Sequence, residues 1–174
     1  MVEIKKTIFD EIFIKMDFIV RQGEEKDMQS VFDLITELAV FEKEPDAVDI
    51  SVTDLINDGF SENPKFKIFV AEQENQIIGI ALFYERYSTW KGRTIHLEDL
   101  IVTKKKQKIG AGKALYTAVL KYAFDHNYNR VAWEVIDWNQ NAIDFYKSTG
   151  ATYLNDWSVV QMNKENLAKF IQNN

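Results

Sequence analysis

No cysteine occurs among these 174 residues, so disulfides and thiolate nucleophiles are both excluded. The absence suits a reducing compartment, and a cytoplasmic location is the expectation. Only two histidines are present, His96 and His126, distant in sequence and without cysteine partners, so no metal site is expected. A G-x-S-x-G elbow is missing, which removes the nucleophile of serine hydrolase chemistry. Apolar runs fall far short of the ~20 residues that cross a bilayer, so no membrane partner is expected. Basic residues are the minority, 21 against 27 acidic ones, for a net charge of −6 and a pI of about 5.0. Nucleic acid is therefore not an expected partner, since binding its phosphates needs a broad basic face. A small cationic substrate fits that acidity better.

With 46% apolar residues the chain can bury a core of its own. Residues 1–17 read as an N-terminal extension, and 18–174 as a single domain. In the first stretch Glu3, Asp10 and Glu11 interrupt Ile4, Ile8, Ile12 and Phe13, which argues against a signal peptide. Phe18–Gln22 reads as a strand. Met28, Val31, Leu34, Ile35 and Leu38 recur at helical spacing within 24–41. Ser51 or Thr53 can cap a short helix ending at Gly59. Strands over 67–72 and 77–87 flank the polar turn 73–76 and predict a hairpin. A strand at 95–102, a helix over 112–126 and a strand at 130–136 form a βαβ-like unit. A helix at 140–148, a strand pair near 151–162 and a last helix capped by Asn163 complete the reading.

Between the 95–102 strand and the next helix lies Gln107-Lys108-Ile109-Gly110-Ala111-Gly112, followed by Lys113. Two glycines one residue apart let backbone N–H groups converge on a single point. The helix directs its positive dipole end at the same place, so an anion such as phosphate is favoured there. Six lysines (104, 105, 106, 108, 113 and 121) and no acid occupy residues 100–124, against the sign of the whole chain. A Walker loop is ruled out, because Ala114 follows Lys113 and Gln107 stands where its first glycine belongs. The dinucleotide fingerprint fails at Leu115.

The remaining pattern, Q-x-x-G-x-G, resembles the pyrophosphate-binding signature of the GNAT superfamily of acyl-CoA N-acyltransferases. Asn139-Gln140-Asn141-Ala142-Ile143-Asp144-Phe145-Tyr146-Lys147 followed by Gly150-Ala151 is similar to that family's second motif. Leu97-Glu98-Asp99, Trp90-x-Gly92 and Trp138-Asn139 resemble the spermidine/spermine (diamine) acetyltransferase group in particular. Lys108 departs from it, standing where those enzymes usually carry a second arginine-glycine pair. The likeness spans roughly residues 18–165. It implies an α/β (α+β layered) fold, with a mostly antiparallel mixed sheet of about six to seven strands and about four helices. It also implies acetyl-CoA as cosubstrate, no metal, and a homodimer. Gln107, Lys108, Ile109, Gly110, Ala111, Gly112 and Lys113 would bind the pyrophosphate. Leu100, Ile101 and Val102 would offer backbone groups to the pantetheine arm, as an added strand does. Asn139 and Tyr146 would contact the same arm.

The implied reaction moves an acetyl group from a thioester to an amine. A primary amine has a reference pKa near ~10.4, so only about one molecule in ~10³ is neutral at pH 7. A proton acceptor is therefore required. Glu98 is the candidate base, acting through a water, with Asp99 supporting it or binding substrate. Strict alternation would place His96, Glu98, Leu100 and Val102 on one strand face, and Leu97, Asp99 and Ile101 on the other. Tyr146 is the candidate general acid toward the departing thiolate. Glu85, Trp90, Glu98 and Asp99, with the acidic stretch 42–49, are candidates for holding the amine. The acceptor is expected to be a polyamine, a diamine or a lysine-like amino acid. Protein amines, or acyl-CoA binding without catalysis, are the alternatives.

Overall fold

A computed structural model describes residues 17–173, which divide into two compact units between Glu134 and Val135. The proposed extension over 1–17 lies, but for Asp17, outside the described residues.

The first unit holds one sheet in the order β1-β2-β3-β4-β5: Ile19–Gln22, Lys67–Gln73, Gln76–Ser88, Gly92–Val102 and Val131–Ala132. The first four strands run antiparallel, and β5 lies parallel to β4. The β2–β3 turn is Glu74-Asn75, both with positive φ (51° and 60°), as a two-residue hairpin twist requires. Helices α1 (Met28–Phe41), α2 (Val52–Gly59) and α3 (Ala111–Asp125) belong to this unit. Ser51 caps α2 reciprocally with Asp54: Asp54 N–H donates to Ser51 Oγ, and Ser51 N–H to the Asp54 carboxylate.

One sheet face presents Ile68, Val70, Ile80, Leu82 and Ile101 to Met28, Val31 and Leu34 of α1 and Leu55 of α2. On the other, Phe69 and Phe83 pack around Tyr122 of α3, with ring centroids 5.3, 6.4 and 5.1 Å apart. Helix α3 is the crossover that a parallel β4–β5 pair needs.

The second unit contains helices α4 (Gln140–Ser148) and α5 (Lys164–Gln172), each capped by an asparagine: Asn139 accepts from Ala142 N–H, and Asn163 from Asn166 N–H.

Five strands and five α-helices therefore stand among the described residues, against the expected six to seven strands and about four helices. The expected strand at 130–136 shrinks to Val131–Ala132, because its pairing with β4 stops at His96↔Ala132. No strand forms over 151–162. Its aromatic and β-branched residues signal a strand, but a strand also needs a neighbouring backbone at about 4.8 Å, and no ladder reaches this segment.

Candidate active site

Strand β4 carries the expected carboxylates, but not in regular alternation. Leu82 pairs with Asp99 and Phe83 with Leu97, so Glu98 is an extra residue, a β-bulge. The bulge reverses the sides beyond it. Asp99 shares its side with Leu82, Ile80 and Ile101, while Leu97 shares the opposite side with Phe83. The expected grouping of Leu97 with Asp99 and Ile101 is thus corrected: Asp99 and Ile101 stand with His96 on the α1/α2 face.

On that face a cavity of about 290 Å³ is lined by Glu98 and Asp99, by Asp54 and Asp58 of α2, and by apolar groups including Ile35 and Phe66. Four carboxylates thus meet an aliphatic wall. Burial, and then the negative charges of Glu98 and Glu42, push the Asp99 carboxyl up to about 6. Burial also raises Glu42, the member of the 42–49 stretch that Asp99 senses. Glu98 is half exposed, its Oε2 lies 3.4 Å from His96 Nε2, and its carboxylate is close enough to act on the Tyr84 hydroxyl. Burial, and then the neighbouring Glu98 carboxylate, raise the Tyr84 hydroxyl.

Beyond His96 the β5 side of β4 is no longer paired, which leaves main-chain groups of Leu100–Val102 on that edge outside the sheet ladder. The strand then enters a 3-10 turn at Lys104–Lys106, tied down by Glu37 of α1, whose Oε1 accepts from Lys104 N–H (2.8 Å) and Thr103 Oγ1–H (3.3 Å). Gln107 Nε2 reaches back to Val102 O at 3.4 Å.

Gly110 is the N-cap of α3, with φ +94°, a backbone state costly for any L side chain. The amides of Ala111, Gly112 and Lys113 form the first turn and have no intrahelical acceptor. Ile109 and Lys113 are exposed around this bend. Lys108 also sits in the left-handed region (φ 67°), so its departure from glycine falls where the backbone would favour one.

Glu85 and Trp90 are not brought to the cavity. Glu85 is held by Arg93 (3.1 and 3.2 Å) and by the Tyr128 hydroxyl (2.7 Å), while Trp90 is exposed in the β3–β4 turn. In the second unit Asn139 uses Oδ1 as a helix cap, and Tyr146 is half-buried on α4, its ring 5.4 Å from that of Phe145.

Four participants were missed from sequence. Asp54, Asp58, Tyr84 and Glu37 are distant from the motif and reach the site only through packing; the i, i+2 spacing of His96 and Glu98 was the one local signal. Among the described residues no group of His, Asp and Glu is arranged to hold a metal, and no helix is long and apolar enough to cross a membrane.

Residues 28–151 match the model of the Acetyltransferase (GNAT) family. A thialysine N-epsilon-acetyltransferase from Sus scrofa is 38% identical over 146 residues, covering 79% of this chain and 86% of that protein. Spermidine/spermine N(1)-acetyltransferase-like protein 1 from Homo sapiens is 33% identical over 160 residues, 86% of this chain and 23% of that longer protein. An integron cassette protein from the mobile metagenome of V. cholerae shares the fold, with a TM-score of 0.74 at 23% identity over 90% of this chain and 99% of its own. The glycine bend after a carboxylate-bearing strand, and the match across most of the chain, agree: this protein belongs to the GNAT acetyltransferase family.

Proposed function

We propose that the protein transfers the acetyl group of acetyl-CoA to a primary amine of a small cationic molecule: a polyamine, a diamine or a lysine-like amino acid. The observation that carries this is the cavity lined by Asp54, Asp58, Glu98 and Asp99 beside Ile35 and Phe66. Clustered carboxylates favour an ammonium group, and the apolar wall suits the methylene chain that bears it. Both named relatives carry amine acetyltransferase names.

In this reading the amides of Gln107–Lys113 grip the pyrophosphate, with Lys108 and Lys113 adding charge. The pantetheine arm runs along Leu100–Val102 in the manner of an added strand, and Asn139 contacts it. Acetyl-CoA supplies the activated acyl group. Glu98 takes the proton from the ammonium through a water, and Asp99 holds the amine. A main-chain N–H of β4 stabilises the oxyanion as nitrogen attacks the thioester carbon. As the C–S bond breaks, Tyr146 donates its proton to the departing sulfur. The second proton lost by the nitrogen is taken up, through solvent, by the Tyr146 phenolate. A positioned acid contributes on the order of 10²-fold, since a thiolate is already a tolerable leaving group. The resemblance to the diamine acetyltransferases supports a homodimer, and the absence of cysteine suits the cytoplasm.

The test is a panel of amines offered with acetyl-CoA, scored by thiol release and by product mass. Diamines, polyamines or lysine-like amino acids should gain one acetyl group each. Turnover only on protein substrates would overturn the small-molecule reading.

A further inference from the structure

His96 is 7% exposed, which is unusual for an imidazole with no hydrogen bond to hold it. Its Nδ1 is buried without a partner, and its ring lies 5.2 Å from that of Tyr84, its cross-strand neighbour. Its other nitrogen, Nε2, faces Glu98 Oε2 at 3.4 Å. That is beyond the ~2.7–3.2 Å of a formed N–H···O bond, but catalytic contacts often tighten only once substrate is bound.

The two neutral tautomers are not equivalent here. With the proton on Nε2, an N–H points at a carboxylate oxygen, and Nδ1 keeps only an unused lone pair. With the proton on Nδ1, a buried N–H has no acceptor, and the Nε2 lone pair confronts an anionic oxygen. The second arrangement carries two penalties, so the geometry selects Nε2–H.

We propose that His96 is a positioning residue for proton removal: its Nε2–H fixes the Glu98 carboxylate toward the substrate ammonium. The inference rests on the reading of Glu98 as proton acceptor. The imidazole faces Oε2 and leaves Oε1 for the water that relays the ammonium proton. A rotating carboxylate would visit that geometry only part of the time, so losing the donor lowers kcat and leaves acetyl-CoA binding alone.

Three variants and one spectrum test it. His96→Phe keeps a ring against Tyr84 but deletes the donor, and should lower kcat about tenfold while acetyl-CoA KM stays within about twofold. His96→Gln places an amide N–H near the same point and should return the rate to within about threefold of the parent. The spectrum is taken on the parent protein, so it stands even if a variant misfolds. Nitrogen-15 histidine NMR, well above the imidazole reference pKa, should show His96 as the Nε2–H tautomer. His126 should show the opposite, because its Nδ1 lies 2.8 Å from the Tyr122 carbonyl. An Nδ1–H signal for His96, a His96→Phe rate within twofold of the parent, or a folded His96→Gln as slow as His96→Phe would overturn the proposal. Glu98→Gln separates the layers. If it retains the parent rate, the reading of Glu98 fails; if it is slow while His96→Phe is fast, only the role of His96 fails.

Discussion

The glycine bend at 107–113 and the carboxylate bulge at 98–99 sit on the same strand and its exit, yet they work by opposite means. The bend is basic, exposed and made of main chain: Gly110 at φ +94° opens a helix whose first amides are uncommitted. The bulge is acidic, partly buried and made of side chains, with Asp99 pushed up to about 6 by burial and by its acidic neighbours. A main-chain site tolerates changes of side chain but not of backbone conformation. A side-chain site behaves the other way round.

Substitutions can break or sharpen that contrast. Glu98→Gln should show the largest effect, a kcat lower by about 100-fold with acetyl-CoA KM within twofold, read from steady-state rates. Equal damage to KM would mean that the two sites are not separate. Gly110→Val forces a branched side chain into a left-handed backbone, though no atom lies within 4 Å of its Cβ. Acetyl-CoA KM should rise by about tenfold or more, with kcat at saturation within about threefold. Asp58→Asn removes one cavity carboxylate away from β4, and should raise KM for the amine by about three- to tenfold without touching acetyl-CoA KM.

Asp99→Asn concerns stability. The folded-state value of about 6 lies above the ordinary 3.8, so between these pH values the native protein binds more protons than the unfolded chain. Stability contributed by Asp99 is therefore full below about pH 4 and falls as pH rises through 6. The asparagine variant should be more stable than its parent at pH 8, on the order of 1–3 kcal/mol before solvent screening reduces it, with the gain gone near pH 4. Denaturant melts at both pH values would check it, and turnover of the amine should fall in the same variant, by less than in Glu98→Gln.

The contrast also explains what could be read from the chain. Gln107–Lys113 was legible because a turn into a helix is local: its glycines, lysines and caps lie within a few residues. The order of strands and helices through Asp125 followed from periodicity, and Ser51 and Asn163 were caps written in single residues. The bulge was not legible. One extra residue in β4 is fixed by its register against β3, and it moved Asp99 to the side opposite Leu97. Asp54 and Asp58 reach the cavity through the packing of α2, and Glu85 is taken up by Arg93 and Tyr128 instead. The strand pair expected near 151–162 had the right composition but joins no ladder among the described residues.

Calorimetric titration of the parent and of Gly110→Val with desulfo-coenzyme A tests the main-chain phosphate grip most directly. The parent should bind with a dissociation constant below about 0.1 mM, and the variant at least about tenfold more weakly. No heat from the parent at millimolar ligand, or equal affinity in the two proteins, would contradict it.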